Sequence, residues 1–379
     1  MMKILHLTIL TFALLFTTGC MKSLETNKDD KKHVKIKKLE KWLAERYKKE
    51  EFHGSVLLAD KGKVIFHRQY GYEDIKNKHK LSSHSSFNIA SLSKPFTAMA
   101  IMLLEQENKL NYNDDIRKYI PEWKYISGVT IKHLLQHTSG LEDYIALTDK
   151  HWNSSKTFTT KDMITLFKEQ KPPLEFIPGE KFKYSNTGYV LLSEIVARVS
   201  QRKYADFMKD HIFKPLKMND SAIFNILSDK NILKHRVYGF SSAGVLDNTK
   251  VLNDLNYLDG VAGDGAVYTT ASDLFKWSRA IKSGTLVSKE NYKKAFEYTV
   301  LSDGSKNDYG FGWELNEDAS YEHSGAWAGF SSYMIQNVKK DKLIIILDSS
   351  NNVLRISPSL GLSKNDSIGL NLIDFMKTY

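Results

Sequence analysis

Two pairs of strand-like runs, one near each end of the chain, constrain the fold more than any other feature. Residues 55–60 and 64–70 flank the turn Lys61-Gly62-Lys63, and such a pair predicts a β-hairpin. Near the other end, residues 329–336 alternate between apolar and polar side chains, and residues 343–347 form a short apolar run after a charged turn. We therefore expect strands from both ends of the chain.

The segment between these strands, about residues 105–255, shows mostly helical periodicity broken by Pro172-Pro173 and Pro178-Gly179. Its clearest predicted helices cover residues 129–135 and 187–200, and another helix is predicted over residues 363–377. Helical spacing of Ile36, Leu39 and Leu43 predicts an amphipathic helix before the first strand. The fold expected is α+β: an antiparallel sheet built from both ends of the chain and flanked by helices, with a mostly helical inserted lobe.

The first 20 residues have the composition of an export signal. Lys3 precedes an apolar run over residues 4–16 that is too short to span a membrane, and small residues follow it. Gly19-Cys20 resembles the lipobox of bacterial lipoproteins, although Thr17 stands where that family usually has Leu. We expect a lipoprotein-type signal peptide over residues 1–20 with lipidation at Cys20, a charged linker over residues 21–34, and one domain over residues 35–379. The alternative is an ordinary signal peptide with an incidental cysteine.

The net charge of +10 comes largely from lysines between residues 22 and 49. A basic run can indicate nucleic-acid binding, but an exported chain favours a solvated tether near an anionic membrane or cell wall. Cys20 is the only cysteine, so neither an intrachain disulfide nor a cysteine-based metal site is possible. His133 and His137 are four residues apart, yet Leu134 replaces the Glu of the zinc-protease pattern. We expect no metal, no cofactor and no nucleic-acid partner.

Ser91-Leu92-Ser93-Lys94 precedes an apolar helical run, and Pro95 is compatible only with a first helical turn. If the helix begins near Ser91, Lys94 lies one turn further on the same face. A serine hydroxyl needs such a neighbouring base to act as a nucleophile. The same pattern recurs at Ser200-Gln201-Arg202-Lys203, where a polar helix surface explains it, so the motif alone is not specific.

Two further motifs could supply the missing partners. Tyr184-Ser185-Asn186 lies between turn residues and a predicted helix, where a phenol could share proton transfer with Lys94. A tyrosine in a turn beside a capping Asn is the structural alternative. His323-Ser324-Gly325 enters a predicted C-terminal strand. Its competitor, Lys282-Ser283-Gly284, follows a helical segment and is typical of a helix C-terminus.

In this order, Ser91-x-x-Lys94, Tyr184-x-Asn186 and His323-x-Gly325 resemble the serine β-lactamase-related family. That family includes class C β-lactamases, D-alanyl-D-alanine peptidases, D-amino acid peptidases and esterases. Residues 134–141 and 263–274 resemble further signatures of the family. The resemblance spans about residues 36–350 and implies a β-lactamase/transpeptidase-like fold in a penicillin-binding-protein-like serine hydrolase.

Carried over to this chain, the resemblance makes Ser91 the acylated nucleophile and makes Lys94 and Tyr184 the general acid/base pair. Backbone N–H groups near the nucleophile would stabilise the oxyanion. The residues implied in substrate and oxyanion contacts are Asn186, His323, Gly325 and Ala326.

His323 departs from the motif of many β-lactamases, which carry at this position a Lys that helps to hold the carboxylate of a β-lactam. A histidine is mostly neutral at pH 7. We therefore expect an exported esterase or D-amino acid peptidase/amidase with little or no β-lactamase activity. A D-alanyl-D-alanine carboxypeptidase or a class C-type β-lactamase is the alternative within the class. A catalytically weak, envelope-anchored peptidoglycan-binding protein is the alternative in another class.

The expected partners follow from this assignment. They are a small ester, amide or D-peptide substrate, peptidoglycan fragments included, and a bacterial membrane reached through the N-terminal lipid. The expected location is the cell envelope, facing the periplasm or the exterior.

Overall fold

A six-stranded antiparallel sheet with strand order β12-β13-β14-β15-β1-β2 forms the framework of the computed structural model, which describes residues 30–76, 78–244, 247–351 and 367–379. The strands are β1 (Gly54–Asp60), β2 (Lys63–Tyr70), β3 (Tyr72–Asp74), β4 (His79–Lys80), β5 (Phe87–Asn88), β6 (Ala222–Ile223), β7 (Phe240–Gly244), β8 (Asp247–Leu252), β9 (Val267–Thr269), β10 (Thr299–Val300), β11 (Lys306–Asn307), β12 (Glu314–Leu315), β13 (Ser320–Trp327), β14 (Phe330–Asn337) and β15 (Lys342–Asp348).

Helices cover both faces of this sheet and fill the segment between β5 and β9. They are α1 (residues 30–48), α2 (Lys94–Gln106), α3 (Ile131–Leu135), α4 (Tyr144–His151), α5 (Thr160–Gln170), α6 (Asn186–Ser200), α7 (Tyr204–Met208), α8 (Ala271–Ser283), α9 (Lys289–Lys293) and α10 (Ile368–Thr378). Within the described ranges, no helix is both long and apolar enough to cross a bilayer.

The central sheet joins the two ends of the chain. β1 pairs with β15 along its whole length, with Gly54 opposite Asp348 and Asp60 opposite Lys342. The hairpin between β1 and β2 turns at Lys61 and Gly62, which have φ angles of 50° and 74°. The α+β fold with an antiparallel sheet from both termini is therefore confirmed.

Side-chain alternation along β1 separates two cores. Leu57 and Ala59 belong to the large core shared with α2 and the helical segment. Val56 and Leu58 belong to a smaller core against α1 and α10. Because successive side chains point to opposite faces of a strand, a continuous apolar run is what a sheet covered on both faces requires.

The helical segment packs on the large core, where Trp123 stacks on Phe167 with ring centroids 4.7 Å apart. The helices predicted over residues 129–135 and 187–200 correspond to α3 and α6. The prediction that Lys282-Ser283-Gly284 ends a helix is also confirmed, because α8 ends at Ser283 and Gly284 adopts a left-handed φ of 74°.

The N-terminal boundary differs from the prediction. Residues 30–34, assigned to the charged linker, are helical and extend α1. Most of this extra turn is exposed, and its single apolar side chain, Val34, is exposed as well, so the apolar helical pattern begins only at Ile36. The predicted signal peptide, Cys20 and the rest of the linker lie outside the described residues.

Candidate active site

Ser91 lies in a tight turn that leads directly into α2. Residues Ala90–Ser93 form one 3-10 turn, and Lys94 is the first residue of the α-helix. Ala90 has a φ of 46°, and its backbone N–H donates to Asn88 Oδ1 at 2.8 Å. A non-glycine residue in this region stores backbone strain, which is common at functional sites. The turn holds Ser91 at the N-terminus of α2.

Lys94 is completely buried and makes three hydrogen bonds. Its Nζ donates to Ser91 Oγ at 3.0 Å, to Asn186 Oδ1 at 2.9 Å and to the carbonyl oxygen of Asp264 at 3.0 Å. An ammonium group has three N–H donors, so these acceptors satisfy every one of them. The amine is thereby fixed within proton-transfer reach of the hydroxyl.

Tyr184 and Asn186 reach the same point from the start of α6. Lys94 Nζ lies 4.8 Å from the centroid of the Tyr184 ring, and the tyrosine is 38% exposed. Asn186 is the first residue of α6, and its backbone N–H donates to Asp143 Oδ2 at 2.7 Å. Its Oδ1 serves Lys94, which leaves the Nδ2 group as a donor for substrate.

His137 packs against the loop that carries Tyr184, a contact that the sequence did not predict. Its Nδ1 accepts the backbone N–H of Ser185 at 3.1 Å, and its ring lies 4.2 Å from that of Tyr184. Burial and the charge of Lys94 lower the pKa of His137 well below the usual range. The signature at residues 134–141 contains this residue, but the spacing from His133 points only to a metal ligand and not to a contact with Tyr184.

His323 is buried beside Tyr184 rather than open to the cleft. Its Nε2 lies 3.0 Å from the hydroxyl of Tyr309, and its Nδ1 lies 2.5 Å from the carbonyl oxygen of Ser324. The carbonyl can only accept, so Nδ1 carries the proton and Nε2 accepts from Tyr309. Burial, followed by the charge of Lys94, lowers the pKa of His323 to about 3. The imidazole is therefore neutral and both nitrogens are occupied.

Gly325 allows β13 to approach the nucleophile closely. A Cβ atom at this position would lie 2.3 Å from the carbonyl oxygen of Ile89 and 2.9 Å from the backbone nitrogen of Ser91. Ala326, the next residue, lines the cavity that also contains Ser91. The structure thus brings the backbone of Ser91 close to β13, the arrangement that a two-donor oxyanion hole needs.

The cavity above Ser91 has a volume of about 270 Å³. Its charged residues are Asp259 and Asp264, and none of the described residues that line it is Lys or Arg. Lys94 is not among the lining residues: it is buried behind the cavity wall, where its Nζ contacts the carbonyl oxygen of Asp264. The lining residues are Asn88, Ala90, Ser91, Tyr144, Ile145, Tyr184, Asn186, Leu258, Asp259, Val261, Asp264, Gly265, Ala266, Ala326 and Trp327.

Asp264 contributes to the site through its backbone as well as its side chain. The carbonyl oxygen accepts from Lys94, and the carboxylate accepts from the Tyr144 hydroxyl at 3.1 Å. Burial raises the pKa of Asp264, while the charge of Lys94 opposes that shift. No spacing pattern in the sequence could assign a carbonyl to Lys94, because that contact depends on tertiary packing.

The family follows from the fold and a direct comparison. Residues 39–354 match the model of the Beta-lactamase family, which covers more than half of the chain. The chain belongs to this family and is a serine hydrolase of the β-lactamase and penicillin-binding-protein type.

Particular relatives agree with this assignment. Penicillin-binding protein 4* of Bacillus subtilis is 39% identical over 311 residues, which cover 79% of this chain and 69% of that protein. Protein flp of Staphylococcus aureus is 31% identical over 79% of this chain and 59% of its own length. A D-amino acid amidase from Ochrobactrum anthropi has the same fold, with a TM-score of 0.69 at 23% identity over 88% of this chain and 95% of the amidase.

Proposed function

We propose that this protein hydrolyses small esters or D-amino acid amides and peptides through an acyl-enzyme on Ser91. The observation that carries the proposal is the 3.0 Å hydrogen bond between Lys94 Nζ and Ser91 Oγ, at a buried amine whose other two hydrogen bonds are also made. A buried amine held in this way serves no purpose in core packing, since burying a charged group is costly.

In this mechanism, one member of the Lys94–Tyr184 pair, the amine or the phenol, is deprotonated at the start; Ser91 Oγ attacks the carbonyl carbon and its proton passes to that pair. The backbone N–H groups of Ser91 and Ala326 stabilise the oxyanion, and the pair returns the proton to the leaving oxygen or nitrogen as that bond breaks. Water then attacks the acyl-enzyme, giving its proton to the same pair. The acid product leaves, and Ser91 regains its hydrogen.

The charge of the cavity favours this substrate class over the alternatives. A β-lactam and a D-alanyl-D-alanine peptide both carry a carboxylate, but the described cavity residues provide two carboxyl groups and no cationic side chain. The neutral, fully hydrogen-bonded His323 adds no positive charge. D-Amino acid amides, which the name of the Ochrobactrum anthropi enzyme indicates as its substrates, lack that carboxylate.

A fluorophosphonate probe tests the nucleophile directly. We expect labelling of the native protein, loss of labelling in Ser91→Ala, and a fall of about 10²- to 10⁴-fold in the labelling rate for Lys94→Ala. The matched control is Lys203→Ala in the second Ser-x-x-Lys pattern, which should label normally. Unchanged labelling of a folded Ser91→Ala protein would refute the assignment, and nitrocefin turnover at the rate of a dedicated β-lactamase would refute the substrate class.

We further propose that the chain is an exported lipoprotein anchored through Cys20. The support is the leader over residues 1–20 with its Gly19-Cys20 junction. Radiolabelled palmitate should enter the full-length protein and should be absent from Cys20→Ala. The proposal would be overturned if the native protein took up no palmitate and were absent from the membrane fraction.

A further inference from the structure

Asp259 is an acidic group in the active-site cavity that the proposed mechanism does not use. One of its carboxylate oxygens, Oδ1, accepts from the indole N–H of Trp327 at 2.8 Å, and the other, Oδ2, accepts from the backbone N–H of Asn256 at 2.5 Å. Each carboxylate oxygen has two acceptor positions. Both oxygens therefore keep capacity for a ligand, and Asp259 and Trp327 both line the cavity with Ser91.

The electrostatic surroundings of Asp259 favour a cation. Burial, aided by the negative charges of Asp254 and Asp264, raises its pKa to about 6, although the hydrogen bonds from Asn256 and Trp327 oppose this shift. Asp254 forms a buried ion pair with Arg236 at 2.5 Å, and Asp264 faces Lys94. Within the described part of the chain, no ion pair engages Asp259. A carboxyl group in a negative field is stabilised in its charged form when a positive group binds beside it.

The position of Asp259 along the cleft indicates which part of a substrate it would meet. Tyr184 lies beside His323, a residue in the middle of β13, with the two ring centroids 6.4 Å apart, and an acid that protonates the leaving group must lie close to that group. Trp327 is the last residue of the same strand, on the far side of Ala326 from His323. The leaving group therefore lies toward His323, and the acyl portion lies toward Trp327 and Asp259.

We propose that Asp259, oriented by Trp327, binds a protonated amine on the acyl portion of the substrate. The protein would then act on amides or esters of amino acids with a free amino group. This inference rests on the proposed function, because it places the acyl portion by reference to Ser91. A cavity of about 270 Å³ is slightly smaller than the usual ligand pocket of about 300–1,000 Å³, which suits a single aminoacyl group.

The test compares two substrates that differ only at the amine: D-alanine p-nitroanilide and its N-acetyl derivative. The native protein should prefer the free amine. Asp259→Asn keeps an acceptor for Trp327 but removes the charge, and we expect kcat/KM for the free amine to fall about 10- to 100-fold, as for other hydrogen bonds to charged groups. Turnover of the N-acetyl substrate should stay within about 2-fold, since that substrate has no charge to bind.

Two further variants keep the result interpretable. Trp327→Phe removes the indole N–H while keeping an aromatic ring, and it should show a smaller loss confined to the free-amine substrate. Asp206→Asn makes the same charge change at an exposed position on α7 and should change neither rate. The L-alanine pair, run in parallel, reports whether the site is stereoselective.

Each outcome decides the proposal. Equal losses for both substrates in Asp259→Asn would mean that the carboxylate is only structural, and no loss for either would mean that it does not meet the substrate. A native protein that prefers the N-acetyl substrate would also overturn the proposal. The fluorophosphonate labelling of Ser91 separates these failures from failure of the proposed function, since labelling requires no amine. Thermal melting of each variant checks that it is folded.

Discussion

The imidazole of His137 packs with its centroid 4.2 Å from that of the Tyr184 ring, and its Nδ1 accepts a hydrogen bond from the backbone N–H of Ser185. The same histidine has a left-handed φ of 55°. Its carbonyl oxygen accepts the backbone N–H of Lys183 at 2.9 Å. The loop that carries the phenol is thus tied on both sides to one buried residue, and the geometry of proton transfer depends on it.

We predict that His137→Ala lowers kcat for an ester by about 10- to 100-fold, because the phenol loses its support and a small misplacement is costly in catalysis. His137→Asn should recover much of this loss, since Asn tolerates a left-handed φ and its Oδ1 can replace the acceptor at Nδ1. The measurement is kcat together with the fluorophosphonate labelling rate. Equal activity of the two variants would contradict a positioning role.

The close approach of β13 to the nucleophile gives a second prediction. Gly325→Ala would place a Cβ 2.9 Å from the backbone nitrogen of Ser91, so the strand or the turn must shift. We expect kcat to fall about 10²- to 10³-fold, the usual cost of losing one oxyanion donor. Gly304→Ala, where a Cβ meets nothing within 4 Å but φ is 84°, is the control for a glycine replacement that strains the backbone away from the site: it should lower stability without changing kcat. A Gly325→Ala enzyme with native kcat would show that the oxyanion hole lies elsewhere.

His323 should stay neutral throughout the pH range of most assays. Its pKa is lowered to about 3, first by burial and then by Lys94. Nitrogen-15 NMR of labelled histidine should show the neutral Nδ1–H tautomer of His323 at pH 5, assigned by comparison with His323→Asn. An imidazolium signal at pH 6 would contradict the buried geometry.

The same shift has a consequence for stability. The unfolded chain takes up a proton near pH 6.5 and the folded chain does so only near pH 3. The unfolded state therefore binds more protons between these values, and the contribution of His323 to the free energy of unfolding is lost as the pH falls through that window. His323→Asn should show a shallower loss of stability on acidification, and an equal slope would argue against the shift.

Glu314 provides the opposite pH dependence. It faces Glu322 across β12 and β13, and burial followed by the charge of Glu322 raises its pKa to about 7. The folded state holds a proton that the unfolded state has already released, so this contribution is lost as the pH rises from about 4.5 to 7. Over that pH range, the free energy of unfolding of Glu314→Gln should rise by about 1–3 kcal/mol relative to that of the native protein.

Urea unfolding at several pH values measures this difference. Glu317→Gln, an exposed residue in the neighbouring turn, is the matched control and should follow the native curve. Parallel curves for Glu314→Gln and the native protein would show that the glutamate is not protonated in the fold.

The framework and the candidate nucleophile could be predicted from local patterns. Alternating and continuous apolar runs define β1, β14 and β15, because a strand repeats every two residues and both sheet faces are covered. The Ser91–Lys94 spacing identified a close pair, although the residues span a 3-10 turn and the first residue of α2 rather than one helix.

What the sequence could not provide depends on tertiary packing. β5, β6 and β9 have two or three residues each, too few to show a period. Tyr309 lies in no motif, yet its hydroxyl donates to Nε2 of His323, because the Ser324 carbonyl holds the imidazole proton on Nδ1. Burial also decided the state of His323: the sequence indicated a mostly neutral imidazole at pH 7, but not that both nitrogens would be hydrogen-bonded inside the protein.

The pairing of Gly54 with Asp348 has a further consequence for how the chain reaches its native state. β1, the first strand of the central sheet to be synthesised, must wait for β15, the last strand of that sheet, before its second edge is covered. Contacts so distant in sequence close a very large loop and slow folding. A ribosome-bound chain therefore exposes an unpaired, apolar β1 edge, and chaperone-free synthesis that stalls before residue 342 should give aggregates rather than a partly active fragment.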